Sequence, residues 1–205
     1  MVTSGSITIM RIPLAIAALV VGGMVPLAAA QLTALERGHL LAHLEMTSGW
    51  LADEVSGLSE AQATFRPAEN AWNILEVLEH LIVVGPIYWN DLQKSLQAPP
   101  SKRSLATGDA DILWYGIDRT RRETAIPPEQ PPRRLRDLQA GLAAYRAQHA
   151  KLVDYIKATK DDLRAHVVER QACDAYQWAL LISTHEQRHV LQIREIKAHA
   201  GFPKR

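Results

Sequence analysis

The chain has 205 residues, which makes one domain the default, and 47% of them are hydrophobic, which is enough to build a core and excludes wholesale disorder. Its 23 Lys and Arg residues against 22 Asp and Glu leave a formal net charge of +1, so no electrostatic footprint for nucleic acid exists. The single cysteine, Cys173, excludes an intrachain disulfide and reads as a structural thiol.

Residues 1–30 differ from the rest. Met1 to Arg11 is short and carries one positive charge, Ile12 to Pro26 is apolar, and Leu27-Ala28-Ala29-Ala30-Gln31 offers an A-x-A-type cleavage site. This pattern predicts a secretory signal peptide over 1–30 and a mature domain over 31–205, exported to the periplasm or secreted. The apolar run contains Pro13 and Pro26 and falls short of the roughly 20 residues of a membrane span, so no stable membrane insertion is expected after cleavage. An uncleaved anchor is the competing reading. No cysteine near the cleavage site supports a lipid anchor.

Four long helices are predicted, with no strand-like alternation to compete. The first covers about Leu32 to Gly57, with a stripe of Leu41, Leu44, Ser48, Leu51, Val55 and Leu58. Ser59 to Gln62 reads as one short turn. The second starts at Asn73, an N-cap completed by Glu76 in a capping-box pattern, and runs to about Leu96 with a kink expected at Gly85-Pro86. Gln97 to Arg133 is a long connection bounded by proline pairs, with a short helical piece at Ile112-Leu113-Trp114-Tyr115. A link of this length can cross a bundle, so helices two and three can run parallel, with the link serving as a lid or a surface strap. The third helix covers about Leu135 to Ala158, and the fourth runs from the cap Asp174 to about His199, ended by Gly201 and Pro203. Four amphipathic helices of this length predict an all-α four-helix bundle.

The fourth helix carries Ser183-Thr184-His185-Glu186-Gln187-Arg188-His189-Val190-Leu191-Gln192-Ile193. His185 and His189 are four apart and share a helix face, which is half of a transition-metal site. Depth along the bundle sorts the other histidines at about 1.5 Å per residue. With helix two running down and helix four up, His80, His189 and His185 lie roughly 10, 15 and 21 Å below the top and can converge. His149 reaches only the level of His185 and reads as a hydrogen-bonded core residue. His39 and His43 lie off the main apolar stripe, and His166 and His199 lie in a loop and at a helix end. Trp50, Trp72, Trp89, Trp114 and Trp178 read mostly as core, with a pocket lining as the alternative.

The stretch Trp72-Asn73-Ile74-Leu75-Glu76-Val77-Leu78-Glu79-His80-Leu81 resembles the W-S-x-x-E-x-x-x-H-L signature of the DinB/YfiT-like superfamily of metalloenzymes. His185-x-x-Arg188-His189-x-x-Gln192-Ile193 resembles its second signature. Leu58-Ser59, Arg66-Pro67 and Asp174-Ala175-Tyr176-Gln177-Trp178 fit as well. The resemblance implies an up-down-down-up bundle with a long crossover between helices two and three. It also implies one divalent metal, commonly zinc or nickel, held by three histidines that map onto His80, His185 and His189. Two departures stand out: Asn73 replaces the usual Ser, a harmless cap exchange, and Gly85 stands where relatives often carry Glu.

Three neutral imidazoles leave a coordination position for water or an unknown small-molecule substrate, the setting for metal-dependent hydrolysis or thiol transfer. Export counts against cytosolic-thiol transfer and favours a hydrolase. Glu186 is the nearest carboxylate in sequence and the candidate catalytic base. Gln192 is placed to support a ligand or touch metal-bound water, and Arg188 to orient an anionic substrate or form an interhelix ion pair. The same letters satisfy the H-E-x-x-H pattern of zinc proteases, but Gln192 and Glu195 occupy places that the extended motif reserves for other residues. A non-catalytic metal-binding or ligand-binding bundle is the remaining alternative, and so is packing of all three histidines with no metal. A homodimer is compatible with every reading.

Overall fold

A computed structural model describes residues 31–101 and 105–204. The expected signal peptide, 1–30, lies outside the described residues. Among the described residues there are six α-helices: α1 (Ala34–Val55), α2 (Glu60–Thr64), α3 (Ile74–Gln97), α4 (Asp109–Ile117), α5 (Leu138–Ala158) and α6 (Ala175–Lys197). A 3-10 turn covers Pro127–Glu129, and two-residue strands β1 (Val167–Val168) and β2 (Cys173–Asp174) pair antiparallel just before α6. Among the described residues no helix is long and apolar enough to cross a membrane.

Helix starts follow local chemistry. Thr33 and Glu36, Ser59 and Gln62, Asn73 and Glu76, and Asp174 and Gln177 each form a reciprocal capping box at α1, α2, α3 and α6. Each box satisfies backbone N–H groups that a helix start otherwise leaves without partners. At α5, Asp137 caps Gln139 and Ala140, so the helix begins at Leu138 rather than at Leu135.

Side-chain contacts give the helix directions. Thr47 meets Ser183 and Glu186, and Glu54 meets Lys197, so α1 and α6 are parallel. Trp178 donates to the Tyr88 carbonyl while His80 meets His185, so α3 and α6 are antiparallel. Leu78 lies against Gly141 and Ile82 against Gln148, so α3 and α5 are parallel. The result is the up-down-down-up bundle, and the crossover between α3 and α5 is what allows two consecutive long helices to run the same way.

The core holds Leu40, Leu44, Leu51, Val55, Ile74, Leu78, Leu92, Ile156, Leu163, Trp178 and Ile193, all fully buried. On α1 the buried stripe is Leu40, Leu44, Thr47, Leu51 and Val55, one position off the expected Leu41 and Ser48 at two places. Thr47 is inside because α6 offers it hydroxyl and carboxylate partners.

α3 is one continuous helix that contains Pro86, the position at which the sequence predicts a kink. Proline has no N–H for the carbonyl four residues back, that of Ile82. The Gln148 amide of α5 donates to that carbonyl at 3.1 Å. Gly85 makes room for this, since a Cβ there would sit 2.3 Å from the Gln148 side-chain oxygen.

The crossover lies along α6 through α4. Gly116 permits close approach, because a Cβ there would come within 2.9 Å of the Thr184 Cβ. Arg119 binds Glu195 through two nitrogens.

Candidate metal centre

His80 sits two turns into α3 behind its capped start, and His185 and His189 occupy one face of α6. The Nε2 atom of His185 lies 3.2 Å from Nε2 of His80 and 3.1 Å from Nε2 of His189. A tetrahedral site with metal–nitrogen distances of about 2.0–2.1 Å puts its ligand nitrogens about 3.3 Å apart. Among the described residues these three form the cluster with metal-ligand spacing, and all three are buried.

The opposite ring nitrogens decide what those Nε2 atoms carry. His80 Nδ1 lies 2.6 Å from the backbone carbonyl of Glu129, and His189 Nδ1 lies 2.7 Å from the Gln192 side-chain oxygen. Both oxygens accept only, so each Nδ1 bears a proton and each Nε2 presents a lone pair. His185 Nε2 can donate to one of those lone pairs at most. At least one of the buried lone pairs converging there is left without a donor, and a cation bound by all three nitrogens satisfies them. The donor set therefore fits a divalent transition ion.

Burial pushes the imidazolium forms of all three histidines below the ordinary range. At His185 and His189 the neighbouring imidazoles and cations lower it further. Neutral rings are the form that ligates metal. Trp72 lies 5.0 Å from the His80 ring and stacks 6.3 Å from that of His189, and Tyr88 meets His185 edge-on at 5.4 Å. The triad opens into a cavity of about 1080 Å³ that the crossover helps to wall, with Tyr115, Arg122 and Glu129 on it.

Glu186 is placed elsewhere. Consecutive helical residues point about 100° apart, so the residue after His185 faces away from the triad's side of α6. Its carboxylate accepts from Thr47 at 3.1 Å and lies 3.4 Å from His149 Nδ1. It lines a separate cavity of about 40 Å³ with Tyr145, Gln148 and His149. The proteolytic reading of H-E-x-x-H needs that carboxylate beside the metal, and the third imidazole comes from α3 rather than from further downstream.

Among the described residues Arg188 forms no ion pair with another helix. Its guanidinium donates to the carbonyls of Tyr115, Asp118 and Arg121, the first at 3.1 Å, and so holds the end of α4 against α6. Gln192 fixes the proton of His189 as described. His149 is hydrogen-bonded in the bundle, His39 is exposed, and His43 reaches Ser183 at 2.8 Å. Trp178 is fully buried core, whereas Trp72 lines the cavity and Trp114 is exposed.

Several positioning groups had no side-chain signature. Glu129 acts through its backbone carbonyl, which any residue would offer. Glu79 accepts from the backbone N–H groups of Arg134 and Leu135 at 2.8 and 2.9 Å and so anchors the end of the crossover next to His80. Glu76 joins its cap to Arg66 and Arg133. The acidic residues around His80 therefore hold the frame of the site.

A search of curated protein sequences gives no match. Among solved structures the fold is similar to YfiT from Bacillus subtilis, described as a probable metal-dependent hydrolase with an unusual four-helix bundle topology. The two superpose with a TM-score of 0.58 at 14% identity, over 84% of this chain and 91% of that one. The sequence model of the DinB superfamily matches residues 40–193, a span that runs from α1 to α6 and takes in all three converging histidines, and the chain belongs to that superfamily.

Proposed function

We propose that the protein is a metal-dependent hydrolase in which His80, His185 and His189 hold one divalent ion, zinc or nickel, and a small molecule enters the adjoining cavity. The observation that carries this reading is the meeting of three Nε2 atoms, with oxygens of Glu129 and Gln192 beside Nδ1 of His80 and His189, where they favour the tautomer that leaves Nε2 free to ligate. The description of YfiT supports it. An ion of this kind supplies a Lewis acid and an activated water near neutral pH. The chain's own part is to keep the imidazoles neutral and aimed, through Gln192 and the crossover carbonyl. Trp72 and Tyr88 wall the approach. Arg188 spends its donors on carbonyls, so recognition of an anionic group falls to Arg122 at the cavity rim.

A metal-binding bundle without turnover is the second reading. It is favoured by Glu186, whose carboxylate is spent on Thr47 and His149 rather than on the triad.

Elemental analysis of untagged protein tests the centre. About one equivalent of a divalent transition ion is expected in the parent, with most of it lost in His80→Ala; an empty parent rules the centre out. A panel of esters and amides then separates the readings. Turnover abolished by His80→Ala supports the hydrolase, and silence with metal retained supports the binder.

A further inference from the structure

We propose that Arg170, in the loop between β1 and β2, is a positioning residue for the metal site. It pins Glu129, whose backbone carbonyl orients His80, so that docking of the crossover and metal binding form one linked equilibrium. This inference rests on the three-histidine reading above.

The Glu129 carbonyl belongs to no sheet and no long helix. It ends the 3-10 turn Pro127–Glu129, whose internal support is the bond from Glu129 N–H to Ile126 at 2.9 Å and that from Gln130 N–H to Pro127 at 3.3 Å. The two prolines stiffen the turn but contribute no N–H to anchor it. Something else must hold it within reach of His80, and Arg170 does so. Its Nη1 binds the Glu129 carboxylate at 2.9 Å while its Nε binds Asp91 at 2.6 Å. Asp91 lies on α3, eleven residues after His80 and so close to the same helix face. The guanidinium also lies 5.9 Å over the ring of Tyr88, which packs on His185. One side chain thus ties the hairpin before α6, the helix bearing His80 and the turn that orients His80.

An isolated pair this exposed contributes little to stability. Its leverage here is geometric. Without the carbonyl, His80 is free to turn or to move its proton to Nε2, and either change removes a ligand. Loss of such an orienting partner costs about 10–100-fold in metal affinity. Linkage is reciprocal, so metal must favour the docked crossover by the same factor.

The test uses the full chain and zinc, with affinity measured at neutral pH by competition with a chromogenic chelator. Hydrogen exchange of residues 120–133 is followed with and without zinc. Arg170→Ala is expected to weaken zinc about tenfold or more, with Arg170→Lys between it and the parent. Zinc should slow exchange over 120–133 in the parent and do so less in Arg170→Ala. Asp91→Asn, which cuts the other anchor of the guanidinium, should weaken zinc in the same direction, and it serves if Arg170→Ala does not fold. Equal zinc affinity in the parent and the variants overturns the inference. So does a parent that binds zinc with no change in crossover exchange. A parent that takes up neither zinc nor nickel instead removes the metal centre itself, a failure visible before any variant is made.

Discussion

At the scale of single residues, the site depends on which nitrogen of each histidine holds a proton. Gln192 settles this for His189 from within α6, three residues on, a spacing that is visible in the sequence because it is helical. His80 takes its partner from the crossover, 49 residues away, through a carbonyl that no residue type reveals. Glu186 shows the same divide. Its neighbours in the chain place it beside the triad, but helical rotation and the Thr47 hydroxyl of α1 turn it to another face.

The three buried imidazoles also predict a pH dependence. Unfolded histidine protonates near pH 6.5, whereas burial keeps the folded rings neutral to lower pH. Between those values the unfolded state binds more protons, so stability rises with pH there. Metal-free protein should therefore show a level melting temperature above about pH 6.5 and a falling one below it, with a slope of up to about 1.4 kcal/mol per pH unit for each histidine. Carboxylates held low by arginines, such as Glu76, act in a separate window below their ordinary value of 4.5. Thermal melts from neutral to mildly acid pH check the claim. A melting temperature that rose on acidification through that window would show that the rings are not buried neutral.

At the scale of elements, helix existence was legible and helix repair was not. Apolar spacing and caps locate α1, α3, α5 and α6 to within about three residues, because those signals act within one or two turns. α3 continues through Pro86, where Gln148 of α5 supplies the donor that the proline lacks and Gly85 clears its path. Gln148→Met keeps the bulk and removes the donor, leaving the Ile82 carbonyl without a partner. We expect a loss of about 1–3 kcal/mol in denaturant unfolding. An unchanged midpoint would mean that the carbonyl finds another donor. The crossover shows a similar divide. Its proline borders and the helical piece around Trp114 are visible in the sequence, but its seat on α6 depends on Gly116, Arg188 and Arg119.

At the scale of the molecule, the parallel pairing of α3 with α5 and the antiparallel pairing of α3 with α6 bring His80 to the level of His185 and His189. A metal at that point is a cross-link between two helices, and it binds the folded chain in preference to the unfolded one. At a free ion concentration one hundred times Kd it adds about 2.7 kcal/mol, or about 5–10 °C in melting temperature for a domain of this size. Chelation should lower the melting temperature of the parent by that amount and leave His80→Ala unmoved, as read by calorimetry. An equal shift in both would place the chelator's effect outside the triad.

The amino-acid order alone determined the helices, the pairing of His185 with His189, and the candidacy of His80, because periodicity, capping and i to i+4 spacing are short-range properties. The tertiary structure alone decided that His80 closes the set, that Glu186 leaves it, and that a crossover carbonyl and Arg170 hold it in place. Those outcomes depend on which groups from distant parts of the chain come within hydrogen-bond reach, and no local pattern encodes that meeting.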